Sequence, residues 1–329
     1  MRTLRTVHDL RTTLGAERAA GRSVALVPTM GGLHEGHLSL IRAARSEHDV
    51  VVVSLFVNPA QFSESSDLAS YPRDEATDAA LAARAGTDLL FAPSQAEVYP
   101  DGFAASVQLR GLLTETLEGE HRGPAHFDGV TTVVAKLFGM AAPDAAFFGA
   151  KDAQQLRVVR RMTSDLNLPV RIVACPTVRE PDGLAMSSRN ARLDPEQRQS
   201  ALGLSRALGE VASGLADARY ASVAEAESAG LAVLTGHGCE PEYFRVVDPE
   251  SMAPVALLSG YVLLVTAAHV GRVRLIDNAA VSAGWSPSIN NATTTIDAEL
   301  TQYEPRVVHV RQHTNQIINV DDEVATLLA

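Results

Sequence analysis

The chain is poor in cysteine, with only Cys175 and Cys239 in 329 residues. That excludes a disulfide framework as the organising principle and a zinc site built on several thiolates. Both thiols are expected to be small buried hydrophobes. Long apolar runs are missing as well. No stretch reaches the ~18–20 residues that cross a bilayer, and the first 22 residues hold no signal-peptide core. A cytoplasmic enzyme is therefore the expectation. A basic excess is also lacking, since the formal net charge is -11. This argues against a general nucleic-acid or anionic-membrane surface, although one pocket can be basic inside an acidic protein.

What is present is ordinary for a globular chain, with 46% apolar and 20% charged residues. The length suffices for two domains with separate cores. Apolar runs at 23–28, 49–57, 88–92, 145–148 and 170–174 read as strands, and the second of these is β-branched on both faces. Helical stretches at 37–46, 74–85, 129–140 and 152–166 alternate with them. This alternation predicts an α/β fold with a doubly wound, Rossmann-like parallel sheet over 1–177. Beyond a polar loop come two Ala-rich helices, at about 197–218 and 223–234. Strand-like runs follow at 242–247, 261–268 and 272–276, so 178–283 reads as a smaller α+β domain. Residues 284–329 begin with a Ser/Asn/Thr-rich linker composition and form a tail with no readable role.

Four segments could carry chemistry. The run Pro28–Thr29–Met30–Gly31–Gly32–Leu33–His34–Glu35–Gly36–His37 leaves a strand and opens a helix. Glycines permit a close backbone turn, and a helix N-terminus offers amides and positive potential to phosphate. His34 and His37 are three apart, on one helical face, and two imidazoles can donate to phosphate oxygens. A metal reading of this pair is weaker for want of a third ligand in helical relation. The second segment, Gly149–Ala150–Lys151–Asp152, sits at another strand end, followed by Gln154 and Gln155. Lys151 can neutralise phosphate. Asp152 suits a helix cap, a ribose or a magnesium shell, and the two glutamines suit substrate polar groups. The third, Met186–Ser187–Ser188–Arg189–Asn190, lies in the inter-domain loop and offers hydroxyls and a guanidinium to a triphosphate, or merely a cap and a surface arginine. The fourth follows the longest strand: Asn58 and Gln61 are polar groups amid apolar neighbours, as in a specificity pocket or an Asn-Pro turn.

Together these segments resemble the pantothenate synthetase family, within the nucleotidylyltransferase superfamily that carries an H-x-G-H signature. The likeness runs over 24–278 through PTMGGLHEGH, VVVSLFVNPAQF, YPRDEATD, FAPSQAEVYPDGF, LEGEHRGPAHFDGV, AAFFGAKDAQQL, DLNLPV, PTVREPDGLAMSSRN and RLIDN. It implies an ATP- and Mg2+-dependent ligase that turns pantoate into pantoyl-adenylate and pyrophosphate. β-Alanine then displaces AMP to give pantothenate. Carried over by motif, His34, His37, Lys151 and Arg189 would be catalytic. Met30, Gly36, Gly149, Asp152, Val178, Met186, Ser187 and Ser188 would join them in binding ATP. Pro28, Met30, Asn58, Gln61 and Gln155 would hold pantoate or β-alanine, with Tyr71, Glu118 and Arg122 in supporting or gating positions. Magnesium would ride mainly on the ATP phosphates, and a homodimer through the first domain is implied. The chain departs from the family at Ala150, where Glu is common, and in HRGPAHF. Two other readings remain: an enzyme moving a nucleotidyl group onto a phosphorylated substrate, and a non-catalytic ATP-binding regulator. The neutral Asn58/Gln61 region disfavours the first. Intact His34, His37, Lys151 and Arg189 disfavour the second.

Overall fold

The computed structural model describes residues 1–62, 68–69 and 71–283. The linker and tail at 284–329, a segment with no readable role in the sequence, fall outside the described residues. The first part runs β1 (Arg2–Leu4), α1 (Val7–Ala19), β2 (Val24–Thr29), α2 (Glu35–Glu47), β3 (Val50–Leu55), α3 (Glu75–Ala85), β4 (Leu89–Phe91), α4 (Pro124–Ala141), β5 (Ala145–Gly149), α5 (Ala153–Asp165) and β6 (Arg171–Cys175). The second part runs α6 (Pro195–Ala216), α7 (Val223–Gly236), β7 (Glu240–Val247), β8 (Gly260–Val270) and β9 (Val273–Ala283).

Six strands form one sheet in the order β1-β4-β3-β2-β5-β6, and every pairing is parallel. The chain steps outward from β2 to β3 and β4, then returns to lay β5 on the other side of β2. The strand order thus reverses between β2 and β5, the place where open α/β sheets gather their ligands. Valines make this sheet because both faces are covered. Val24, Leu26, Val50 and Val52 enter the core on one side, and Ala25, Val27, Val51 and Val53 the core on the other. β1 and α1 had no counterpart in the sequence reading. β1 is three residues long, and α1 is opened by Thr6, whose side chain accepts the Asp9 amide.

The smaller sheet is antiparallel, β7-β8-β9. β9 runs to Ala283, seven residues beyond the sequence expectation, because it pairs with β8 along its whole length from Val273 to Ala283. One face of this sheet packs on α6 and α7 through Val246, Leu264 and Phe244. The other face, Tyr243, Val247, Leu263 and Val265, packs on Leu113, Leu117 and Ala153 of the first part. Burial on both faces seats the small sheet against the carboxyl edge of the large one.

Candidate active site

The cavity at the switch point is lined from both parts of the chain. β2 delivers Pro28, the turn after it Met30 and His34, and the start of α2 Gly36 and His37. β5 delivers Gly149, followed by Lys151, Asp152 and Gln155. The turn after β3 adds Asn58 and Gln61, and the inter-part loop adds Val178, Met186, Ser187, Ser188 and Arg189. Tyr71, Glu118 and Arg122 complete the wall. Every site residue expected from the sequence therefore borders one cavity.

The two histidines meet by a route other than a shared helical face. His34 stands before α2 as its N-cap, in extended backbone, and His37 is in the first turn. Their ring centroids are 4.2 Å apart. The Gly36 amide donates to His34 Nδ1 at 3.2 Å, and the His34 amide donates to His37 Nδ1 at 3.4 Å. With both Nδ1 atoms accepting, each neutral ring carries its proton on Nε2. A Cβ at residue 36 would lie 2.9 Å from the His34 ring, which explains why glycine stands between the histidines. Burial, then the Lys151 charge, lowers His34 to about 4. Burial, then His34 and Lys151, lowers His37 to about 3. The pair at neutral pH is thus two uncharged N–H donors beside one lysine.

Other residues do work that differs from expectation. Asp152 makes no side-chain cap to α5; its carboxylate lies 3.7 Å from Lys151 Nζ. Gln154 is buried and spent inside the protein. It accepts from the Glu118 amide and donates to the Leu113 and Thr116 carbonyls. Asn58 is likewise spent: its amide donates to Gln61 Oε1 and the Gly129 carbonyl, and its oxygen accepts from Tyr99 and Ala60. It orients Gln61, whose Nε2 faces Met30 Sδ at 2.9 Å. Ser187 caps the short helix Ser188–Arg192, accepting the Arg189 amide at 3.2 Å, while Ser188 Oγ stands 3.4 Å from the Tyr71 hydroxyl.

Several lining residues had no assigned role. His126 donates from Nδ1 to the Gln61 carbonyl at 2.7 Å, since a carbonyl can only accept, and Arg122 stands 3.3 Å from its Nε2. Asn278 donates to the carbonyls of Ala150 and Lys151 at 3.0 and 2.7 Å, fixing the lysine turn from β9. Arg274 grips Glu118 with two 2.7 Å bonds, and Tyr243 donates to the same carboxylate at 2.7 Å. Burial pushes Glu118 up, but the Arg274 guanidinium outweighs it and holds the acid at about 2. Arg274 and Asn278 stood in the RLIDN motif; their targets, over a hundred residues away, left no local signal.

The fold and cavity define a doubly wound α/β protein with a cleft at the point where its strand order reverses. The Pantoate-beta-alanine ligase family matches residues 2–280. A pantothenate synthetase of Cereibacter sphaeroides is 52% identical over 278 residues, 84% of this chain and 99% of its own length. One from Moorella thermoacetica is 50% identical over 279 residues, 84% of this chain and 98% of its own. The crystal structure of pantothenate synthetase from Thermus thermophilus is similar with a TM-score of 0.79 and 48% identity, covering 85% of this chain and 99% of that one. The pantoate-beta-alanine ligase of Francisella tularensis, solved with beta-gamma ATP and beta-alanine, gives a TM-score of 0.71 and 31% identity over 84% of this chain and 97% of that one. This chain belongs to the pantoate–β-alanine ligase family.

Proposed function

We propose that the chain condenses pantoate with β-alanine through a pantoyl-adenylate, releasing pyrophosphate in the first step and AMP in the second. One observation carries this reading. The His34/His37 pair, Lys151 and the Ser187–Arg189 loop border the same cavity as Gln61 and Gln155. A phosphate-stabilising group and a neutral, polar pocket for a small hydroxy acid thus face one space.

In the first step a pantoate carboxylate oxygen attacks the α-phosphorus of ATP, and the bond to the pyrophosphate oxygen breaks. Negative charge grows on the phosphate oxygens. Neutral Nε2–H donors and the Lys151 ammonium stabilise that charge without reorganising at the moment of reaction. Gln61, held by Asn58 and His126, and Gln155 would grip pantoate. In the second step the β-alanine amine attacks the acyl carbon and AMP leaves. A carboxylate made into a mixed anhydride needs positioning more than a protein nucleophile. Magnesium fits the donor set. Glu118 is satisfied by Arg274 and Asp277 by Arg179, which leaves Asp152, among the described residues, as the cavity carboxylate without an arginine partner. Magnesium commonly takes one carboxylate plus phosphates and would neutralise phosphate charge here. Residues 178–283 would act as a partial lid carrying the Ser187–Arg189 loop, in a cytoplasmic homodimer.

The test is a product assay. With pantoate, β-alanine, ATP and magnesium all present, AMP and pyrophosphate should form in equal amounts with pantothenate; without β-alanine, pyrophosphate should appear only as a single turnover and no AMP should follow. ADP and phosphate as products would overturn the adenylate route.

A further inference from the structure

The motif YPRDEATD ends on Asp78, a residue given no role so far. Asp78 lies in the first turn of α3 and is 4% exposed. Its two oxygens are used on backbone amides rather than on a cation. Oδ2 accepts from Gly32 at 3.0 Å and Oδ1 from Leu33 at 2.7 Å. These are amides of the turn between β2 and His34, the turn that the sequence alone would assign to phosphate. Asp78 therefore takes two of the donors that the Gly-Gly turn would otherwise offer to a ligand.

The turn is held from the other side too. Gly31 has φ +91° and Gly32 φ +63°, conformations that side chains rarely adopt. A Cβ on Gly31 would sit 2.9 Å from Asp78 Oδ2 and 3.0 Å from Leu55 Cδ1. A Cβ on Gly32 would sit 3.2 Å from Ser188 Cβ. The Tyr71 hydroxyl lies 3.5 Å from the Gly31 carbonyl and 3.4 Å from Ser188 Oγ. The turn is thus clamped between a buried carboxylate below and the Ser188 loop above. His34 follows Leu33 directly, and His37 is locked to His34 through Nδ1.

We propose that Asp78 is a positioning residue of the adenylation step: by holding the Gly32 and Leu33 amides it sets where the His34 and His37 donors stand. The proposal rests on the adenylate reading for its kinetic consequence. Its structural part, the clamp, is independent of it. A buried carboxylate accepting amides makes charge-assisted bonds, roughly twice as strong as neutral ones. Asp78→Asn keeps the shape but turns an NH2 toward one of the two amides, so one donor meets another.

The test uses the full chain. For Asp78→Asn, pyrophosphate release in the full reaction with pantoate, ATP, magnesium and β-alanine should lose about 10²-fold in kcat, the scale expected of a misplacement near 1 Å. The pantoate KM should move less than about threefold, because Gln61 and Gln155 sit on other turns. Hydrogen exchange should show Gly32 and Leu33 losing protection while Val24 to Val27 of β2 keep theirs. A purely structural role would lower the folded fraction and leave kcat per folded molecule unchanged, and that result overturns the proposal. So does a protected Gly32–Leu33 pair in the variant. If Asp78→Asn fails to fold, Gly31→Ala presses on the same carboxylate from the turn side and should reproduce the kcat loss at constant pantoate KM. A wild-type chain releasing no pyrophosphate would sink the adenylate reading instead, and the exchange measurement would still decide the clamp.

Discussion

A neutral histidine pair makes a distinct claim about single residues. Burial and the neighbouring lysine keep both rings uncharged down to about 4 and about 3, so the donors remain the same species across the physiological range. Removing one transition-state donor usually costs 10²–10³-fold. His37→Ala should lose adenylate formation by about that factor, read as pyrophosphate release, with its far-ultraviolet spectrum little changed. In the wild type the first half-reaction should show no inflection near pH 6.5 from these rings. An inflection there that disappears in His37→Ala would mean that the ring titrates as a cation. Gln155→Ala should behave differently, raising the pantoate requirement far more than the ATP requirement; unchanged pantoate binding by calorimetry would remove Gln155 from the pocket. Cavity-lining residues were legible where a strand end, a glycine and a polar or charged side chain coincide, as at His34 and Lys151. Asn58 and Gln154 had the right chemistry and position but are consumed by internal hydrogen bonds. Only their three-dimensional partners reveal this.

At the scale of elements, the small sheet is joined to the large one through a buried charged cluster. Arg274 on β9 holds Glu118 of the short helix Glu118–Arg122 and also Glu242 of β7. Breaking a buried pair from one side leaves an uncompensated charge and costs roughly 3–5 kcal/mol. Arg274→Met should destabilise the chain by about that amount in denaturant unfolding. Adding Glu118→Gln should recover part of the loss, because the stranded carboxylate is gone; a strictly additive double variant would deny the coupling. The same scale explains what the sequence revealed of the fold. β2, β3 and β5 are apolar runs, so they could be read as buried strands of a parallel sheet, whereas their order in that sheet, and the switch point with it, is set by packing. β1, at three residues, is too short for any periodicity. The partnership of β9 with the lysine turn depends on Asn278 reaching Ala150 and Lys151, a contact set by how the sheets pack rather than by local pattern.

For the molecule as a whole, the cavity sets an acid limit. Three of its histidines are held below their ordinary range: His34 at about 4, His37 at about 3 and His126 at about 4, in each case chiefly by burial and then by adjacent positive charge. The unfolded chain takes up these protons near 6.5, while the folded chain refuses them until about pH 4. Folding stability is therefore complete above pH 6.5 and falls as pH drops toward 4. Each ring contributes at most about 1.4 kcal/mol per pH unit in that window, or roughly 2 kcal/mol by pH 5. Three such rings reach a size comparable with the whole stability of a domain, about 5–15 kcal/mol. Glu118 acts in a separate window. Its acid is held at about 2, so its contribution stays intact above 4.5 and fades only between 4.5 and 2. The melting temperature should accordingly decline between pH 7 and pH 5, before the carboxylates respond. His126→Asn, which removes one ring outside the His34/His37 pair, should flatten that decline by about a third. A wild-type melting temperature that holds level from pH 7 to pH 5 would show that the three rings protonate in the folded cavity as readily as in water, and with them would go the case for a neutral donor pair.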